Sequence, residues 1–197
     1  MKRIGLTGSI GSGKSTVAKL LMARKIPVLD ADAVARQVSS RGDVLQAVSS
    51  QLGSEYVLPG GLNRAALAEL VFAQPEARAT LNGIIHPRVR EEMARLEDAL
   101  ESDGSSAVVQ DIPLLFENGF EKMFDAVILV DAPLETRVAR VMGRDGATRE
   151  AVLARDAAQM PAFEKRARAD FIIENDGDEA ALAAQLEALL VKLGLAE

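Results

Sequence analysis

Residues 8–15 read GSIGSGKS and fit the pattern G-x-x-x-x-G-K-[ST]. The residues before them, 3–7, are short and mostly apolar, which is typical of a buried strand, and the residues after Ser15 have the apolar spacing of a helix. Backbone N–H groups in such a turn can surround phosphate oxygens, and the helix N-terminus favours negative charge. A tight turn with a chance lysine is the alternative, but the strand-and-helix context favours a phosphate-binding loop (P-loop).

The P-loop pattern predicts which atoms hold a nucleoside triphosphate. Its glycines, Gly8, Gly11 and Gly13, let the backbone approach the phosphates. Lys14 is predicted to reach the β and γ phosphates, and Ser15 to bind Mg²⁺ through its hydroxyl group. Small-molecule kinases, GTPase switches and transport ATPases all use such a loop. The chain contains neither the guanine-reading N-K-x-D nor an L-S-G-G-Q signature, which favours a kinase.

Composition narrows the possible partners and location. The net charge of the 197 residues is −6 and aromatic residues make up 4%, which argues against a nucleic-acid-binding protein. Basic residues concentrate in two zones, 1–41 and 137–168, and suit a small phosphate-rich ligand. The chain has no cysteine, and no apolar stretch approaches the roughly 20 residues that cross a bilayer. We therefore expect a soluble cytoplasmic protein without a membrane partner.

Five short apolar segments alternate with helical patterns, which predicts an α/β fold with a five-stranded parallel sheet covered on both faces. Two helical insertions interrupt the alternation, at 33–100 and 137–166. Within them we expect Pro87 to open a new helix and Thr148 to cap a helix that runs to Met160. The predicted strands are 3–7, 26–29, 107–115, 125–133 and 171–175.

The stretch VLDADAVAR, residues 28–36, follows the second predicted strand. Asp30 lies at the strand end, Asp32 in the first helical turn, and Arg36 four residues beyond Asp32 on the same helix face. One interpretation is an N-capping aspartate with a local Asp–Arg pair. The other is a carboxylate that takes the proton of an acceptor hydroxyl while Arg36 holds the acceptor, and the P-loop favours it.

Six stretches in the same order resemble the dephospho-coenzyme A kinase family. The resemblance extends from residue 3 to about residue 176, and it implies a P-loop kinase related in fold to nucleoside monophosphate kinases. It further implies transfer of the γ-phosphoryl group of ATP to the ribose 3′-hydroxyl of dephospho-CoA, the last step of coenzyme A synthesis. The stretches are GLTGSIGSGKST, DADAVAR, LNRAALAELVF, the pair His86-Pro87, DIPLLFE and EKRARADFIIEN.

The resemblance also implies roles for individual residues. Residues 11–16, including Ser12 and Thr16, would bind the ATP phosphates, and Asp32 would be the general base. Arg36, together with the insertion 33–100, would contact dephospho-CoA. The family commonly has glycine where this chain has Ser9, at a position that the P-loop pattern leaves free.

The loop that begins at Pro113 would line the acceptor pocket. Pro113, Leu114 and Leu115 are therefore candidate substrate contacts, although plain core packing is an alternative for Leu115. His86 is the single histidine of the chain, and either substrate contact or an ordinary helix-capping role fits it.

Further candidates belong to the nucleotide side of the site. Asp111 ends an apolar strand, where a carboxylate can help to hold Mg²⁺ through water, and an exposed strand-end aspartate is the alternative. Asn175 follows the last strand and could read adenine or form an ordinary turn. Three arginines, Arg137, Arg140 and Arg144, share a helix face. They belong either to an ordinary solvated helix or to a lid whose cations close over the transferred group.

Among the arginines we favour Arg140 as the one that acts on the transferred phosphate, followed by Arg144. Arg155 and Gln159, four residues apart, are further candidates. The sequence thus predicts a single three-layer α/β/α P-loop kinase domain with core 1–32, 101–136 and 167–197, a substrate-binding helical insertion 33–100 and a small helical lid 137–166. We expect a monomer or weak homo-oligomer that uses ATP and Mg²⁺. A nucleoside or nucleotide kinase with another acceptor, and a nucleotide switch, remain the alternatives.

Overall fold

The computed structural model describes residues 1–196, and its chain divides into two compact units. The first unit consists of Met1–Leu29 and Leu100–Glu197, and the second of Asp30–Ala99. The second unit covers nearly the same residues as the predicted insertion, whose role in binding substrate stays a prediction. None of the described helices is long and apolar enough to cross a membrane.

A five-stranded sheet with the strand order β2-β5-β1-β6-β7 forms the centre of the first unit, which confirms the predicted α/β fold. Strand β1 lies between β5 and β6 and pairs in parallel with both. Strand β7 extends the sheet in parallel beyond β6. The strands are β1 Lys2–Gly8, β2 Val28–Asp30, β5 Ala107–Asp111, β6 Ala126–Asp131 and β7 Phe171–Glu174.

Successive strand residues point to opposite sides of this sheet, so each face has its own packed layer. On one face, alternate residues of β1 such as Ile4 and Leu6 pack with α1 (Lys14–Ala23) and α9 (Glu179–Leu193). On the other face, Val127 of β6 packs with Leu115 and Phe116 from the loop after β5. The observed layers match the predicted α/β/α arrangement.

The predicted lid contains three helices: α6 (Leu134–Asp145), α7 (Arg149–Ala157) and α8 (Ala162–Arg168). The Thr148 hydroxyl accepts a hydrogen bond of 3.3 Å from the Ala151 N–H, which confirms the predicted cap of α7. The prediction of one helix up to Met160 is wrong. Helix α7 ends at Ala157, and α8 begins directly after Pro161, a residue that has no N–H with which to continue a helix.

The second unit is mostly helical, with α2 (Ala31–Val38), α3 (Gly42–Gln51), α4 (Arg64–Ala73) and most of α5 (Pro75–Ser102), whose last three residues belong to the first unit. A two-stranded antiparallel hairpin, β3 (Val57–Leu58) and β4 (Gly61–Leu62), lies between α3 and α4 and was not predicted.

The prediction that Pro87 opens a new helix is wrong. Pro87 lies inside α5, a continuous helix of 28 residues. An interior proline removes one backbone hydrogen bond, but bonds on both sides of it remain. The buried residues Ile84 and Met93 lie on either side of Pro87 and anchor both halves.

Candidate active site

The P-loop connects β1 to α1 and needs glycine at two left-handed positions. Gly11 has φ 78° and Gly13 has φ 91°. A Cβ atom at Gly11 would lie 2.5 Å from the carbonyl oxygen of Arg137, and one at Gly13 would collide with the side-chain amide of Asn175. The helix therefore begins directly after Gly13, and the N–H groups of Lys14 and Ser15 are among those that a helix leaves without an intrahelical partner.

Lys14 and Asp111 form a salt bridge in which both side chains are mostly buried. They meet because β1 and β5 are neighbours and end at the same edge of the sheet, with Leu6 in register with Asp111. A cation suited to phosphate and a carboxylate suited to Mg²⁺ are thus in contact beside the P-loop. The structure brings these two predicted residues together, while the exposed Ser15 and the half-buried Thr16 lie at the start of α1.

Asn175 and Arg140 support the P-loop from one side. The Asn175 amide donates a hydrogen bond of 2.7 Å to the carbonyl oxygen of Ser12, and Arg140 approaches the same oxygen at 3.4 Å. Arg140 also donates to the carbonyl oxygen of Asn175 at 3.0 Å. Arg140 therefore lies next to the phosphate-binding turn. The Asn175 amide is engaged with the P-loop backbone, and its reading of adenine stays a prediction.

Gln159 and Arg137 support the P-loop from another side. The side-chain oxygen of Gln159 accepts a hydrogen bond of 3.0 Å from the Ile10 N–H. Arg137 is almost completely buried, binds the carboxylate of Asp156, and approaches the carbonyl oxygen of Ile10 at 3.3 Å. The sequence predicted one shared arginine face, but Arg137 holds the loop while the exposed Arg144 pairs with Asp145 at 2.6 Å.

The loop after β5 exposes only some of the predicted substrate contacts. Leu115 is 0% exposed and packs with Phe116 and Val127, which agrees with the alternative that Leu115 is a core residue. Leu114 is 42% exposed and Pro113 is half-buried, so these two residues offer accessible surface. The carbonyl oxygen of Pro113 accepts a hydrogen bond of 3.2 Å from the Thr7 hydroxyl, which ties this loop to β1.

In the second unit, Asp30 and not Asp32 caps helix α2. Its side chain accepts a hydrogen bond of 2.9 Å from the Ala33 N–H, and it lies 3.9 Å from Arg36. The N-capping aspartate and the local Asp–Arg pair of the first interpretation are therefore both present, and both belong to Asp30. Asp32 is exposed, and its carboxylate forms no hydrogen bond or ion pair within residues 1–196, so it is available to a ligand.

His86 is exposed in the middle of α5 and is not a helix cap. Two residues later in the same helix, Arg88 donates a hydrogen bond of 2.7 Å to the carboxylate of Asp43. The hydrogen bond from Arg88 is the main reason why the pKa of Asp43 lies below its ordinary value. The Asp43–Arg88 contact links α3 to α5 inside the second unit.

Sequence reasoning missed a charged network at the ends of β6 and β7. Arg166 donates to Asp131 and to Glu174, each at 2.7 Å. The hydrogen bond to Glu174, followed by the one to Asp131, raises the pKa of Arg166 further above its ordinary value. Acidic residues at two predicted strand ends and the basic run 165–168 were the available signals, but no spacing rule connects them.

Comparisons with known proteins place the chain among kinases. A family model described as dephospho-CoA kinase matches residues 2–181. The chain is 52% identical to the dephospho-CoA kinase of Deinococcus radiodurans over 192 residues, with 98% of this chain and 92% of the relative covered. The Thermus thermophilus dephospho-CoA kinase is 48% identical, with coverage of 96% and 91%.

Solved structures agree with the sequence comparison. A crystal structure of a Thermus thermophilus protein matches with a TM-score of 0.86 and 46% identity, with 98% of this chain and 97% of that chain covered. The dephospho-CoA kinase of Campylobacter jejuni matches with a TM-score of 0.73 and 28% identity over 98% of both chains. A shikimate kinase from Bacteroides thetaiotaomicron, 16% identical with a TM-score of 0.53 over 98% and 99% of the two chains, shares the fold alone.

Proposed function

The chain belongs to the dephospho-CoA kinase family, and from that premise we propose that it transfers the γ-phosphoryl group of ATP to the ribose 3′-hydroxyl of dephospho-CoA. Members of this family phosphorylate dephospho-CoA to coenzyme A in the last step of coenzyme A synthesis. The observation that carries the details is the contact of Lys14 with Asp111 beside the P-loop. The other residues are assigned around this contact.

In the proposed reaction the Lys14–Asp111 salt bridge opens when nucleotide binds. The Lys14 ammonium group moves to the β and γ phosphates, which the N–H groups of residues 11–16 surround. The Ser15 hydroxyl, and Asp111 through water, fit a magnesium ion, whose charge would offset that of the phosphates. Breaking a mostly buried ion pair costs free energy, and the new contacts with phosphate offset that cost.

On the acceptor side, Asp32 takes the proton of the ribose 3′-hydroxyl. Its exposed carboxylate serves neither the cap of α2 nor the Arg36 contact, so it can bind a hydroxyl without disturbing the helix. Arg36 is exposed and 3.9 Å from Asp30, a weak pairing that an anionic acceptor can replace. His86, Pro113 and Leu114 are the further proposed substrate contacts.

Charge that develops on the transferred group is stabilised by Arg140, which already lies beside the P-loop through Ser12 and Asn175. Arg144 joins it only after release from Asp145. Phosphoryl transfer depends on positioning and charge neutralisation more than on covalent chemistry, and these cations supply the neutralisation. We further propose a cytoplasmic location, a monomer or weak homo-oligomer, and no nucleic-acid or membrane partner.

One experiment tests the proposed function. The purified chain is incubated with ATP, Mg²⁺ and dephospho-CoA, and ADP and coenzyme A are measured by mass spectrometry. We expect both products in equal amounts, and none with Lys14→Met, which removes the cation. Rapid phosphorylation of a nucleoside monophosphate without any coenzyme A would instead identify a nucleotide kinase, and ATP binding without transfer to either acceptor would identify a switch.

A further inference from the structure

A buried ion pair joins the loop after β5 to helix α8. Lys165 is 0% exposed, and its ammonium nitrogen lies 2.9 Å from Oε1 of Glu117. Burial acts to raise the pKa of Glu117, but the nearby Lys165 ammonium group and the hydrogen bond from the Met160 N–H outweigh it, so this pKa lies below its ordinary value. Glu117 is therefore ionised beside Lys165, in a place where an unpaired charge would be strongly unfavourable.

The Glu117 carboxylate also holds the connector between α7 and α8, residues 158–161. Oε1 accepts a hydrogen bond of 2.9 Å from the Met160 N–H. The side chain of Met160 packs against the cluster of Leu115, Phe116 and Val127. One carboxylate thus fixes the loop to both the connector and α8.

The same connector holds the P-loop. Gln159, the residue before Met160, accepts the hydrogen bond from the Ile10 N–H at 3.0 Å. Two consecutive residues therefore bind two different loops: one at the nucleotide side and one that contains Pro113 and Leu114. Neither the P-loop pattern nor the composition of the chain accounts for this arrangement.

We propose that Glu117 and Lys165 are positioning residues for the acceptor: their buried pair fixes residues 112–120 against the connector and thereby sets the affinity for dephospho-CoA. The inference rests on the proposed function, in which Pro113 and Leu114 contact the acceptor. A buried ion pair adds little net stability compared with apolar residues of similar size, but it defines one geometry. A loop that contacts substrate has to hold its contacting residues in one position, and a single defined geometry achieves this.

The test compares three variants of the full chain: Glu117→Gln, Lys165→Met and the double variant. Each single change leaves a buried group without its partner, so we expect both to lower the melting temperature. The double change removes both charges, and we expect it to restore much of that loss. The KM for dephospho-CoA in the double variant should nevertheless stay about tenfold above that of the wild type, because the loop has lost its link to α8.

The KM for ATP separates positioning from general damage. It should stay within about twofold of the wild type in the double variant, since Gln159 still holds Ile10. The matched control is Glu135→Gln with Arg149→Met, which removes an exposed pair between α6 and α7 and should leave both KM values unchanged. Equal increases of both KM values in the Glu117 and Lys165 variants would overturn the proposal.

Further outcomes are decisive as well. A double variant with a normal KM for dephospho-CoA, whatever its melting temperature, would show that the pair does not position the acceptor loop and would overturn the inference alone. A wild-type chain that does not turn over dephospho-CoA would overturn both the proposed function and the inference. If the double variant does not fold, the test uses the single variant that retains the wild-type circular dichroism spectrum. A normal KM for dephospho-CoA in that single variant overturns the proposal.

Discussion

Two carboxylates near the start of α2 differ in what they bind, although only one residue separates them in the chain. Asp30 caps the helix and approaches Arg36, whereas Asp32 is exposed and makes no such contact within residues 1–196. Sequence spacing places Asp32 and Arg36 on one helix face, because residues four apart are neighbours there, but it does not say which aspartate caps the helix or pairs with Arg36. The backbone geometry of the cap decides between the two, and the Asp32 carboxylate takes part in neither contact, as its proposed role as general base requires.

Replacement of Asp32 by Asn should therefore lower kcat by about 10²–10⁴-fold, the usual contribution of a positioned acid or base. The KM for ATP should hardly change, because the P-loop is intact. Steady-state kinetics with dephospho-CoA measure both. Asp30→Asn is the matched control, since asparagine caps helices as well as aspartate and its kcat should remain near that of the wild type. Near-normal turnover of Asp32→Asn would remove this residue from catalysis.

Two glycines of the first unit should respond in opposite ways to substitution by alanine. At Gly13 the φ of 91° and the nearby Asn175 amide oppose a Cβ atom, and we expect Gly13→Ala to lower the free energy of unfolding by at least about 1 kcal/mol. At Gly143, inside α6, a Cβ atom meets nothing within 4 Å. Gly143→Ala should therefore raise the free energy of unfolding by about 0.5–1 kcal/mol. Urea denaturation measures both, and a stable Gly13→Ala variant would show that the P-loop can rearrange.

At the scale of elements, Pro87 is the clearest departure from what the sequence suggested. Its ring removes one backbone hydrogen bond in the middle of α5, yet the helix continues. We expect Pro87→Ala to raise the free energy of unfolding by up to about 3 kcal/mol, the cost of an interior proline. The measurement is urea denaturation followed by circular dichroism.

The control for this prediction is Asn82→Ala, an exposed position earlier in the same helix. This substitution changes helix propensity alone and should raise the free energy of unfolding by only about 0.5 kcal/mol. If Pro87→Ala is no more stable than Asn82→Ala, the helix has already adapted to the proline.

Elements that a local sequence pattern marks could be predicted from the sequence. Elements and contacts that depend on residues far away in the chain could not. The buried strands β1, β5 and β6 and the P-loop turn follow from apolar runs and glycine spacing. Helix α8 and the β3–β4 hairpin lack such periodicity because they are short. The same limit applies to the site: Lys14 and Ser15 follow from a local pattern, whereas the contact of Asn175 with Ser12 joins residues 163 positions apart.

At the scale of the whole molecule, stability against acid should depend in part on Glu117. Its pKa lies below the ordinary value, so its contribution is complete above the unfolded-state pKa of about 4.3 and is lost as the pH falls through the lowered folded-state pKa. The difference in unfolding free energy between the wild type and Glu117→Gln should therefore be constant near neutral pH. Below about pH 4 it should shrink toward zero.

Urea denaturation at a series of pH values measures this difference. Glu135→Gln is a useful control because Glu135 is exposed and its ion pair with Arg149 should contribute little at any pH. A difference between the wild type and Glu117→Gln that grows as the pH falls would contradict the assignment of a charged Glu117 in the folded protein.

The strand order has a consequence for how the chain is made. Strand β1 leaves the ribosome before its neighbours in the sheet, β5 and β6, and the residues of the whole second unit are synthesised between β1 and β5. Roughly 100 residues separate β1 from β5, which at about 5–20 residues per second is a delay of about 5–20 s. During that time the backbone N–H and C=O groups of β1 have no neighbouring strand to pair with, and its apolar side chains have no core to join. The nascent chain is thus most exposed to aggregation and to chaperones before β5 emerges.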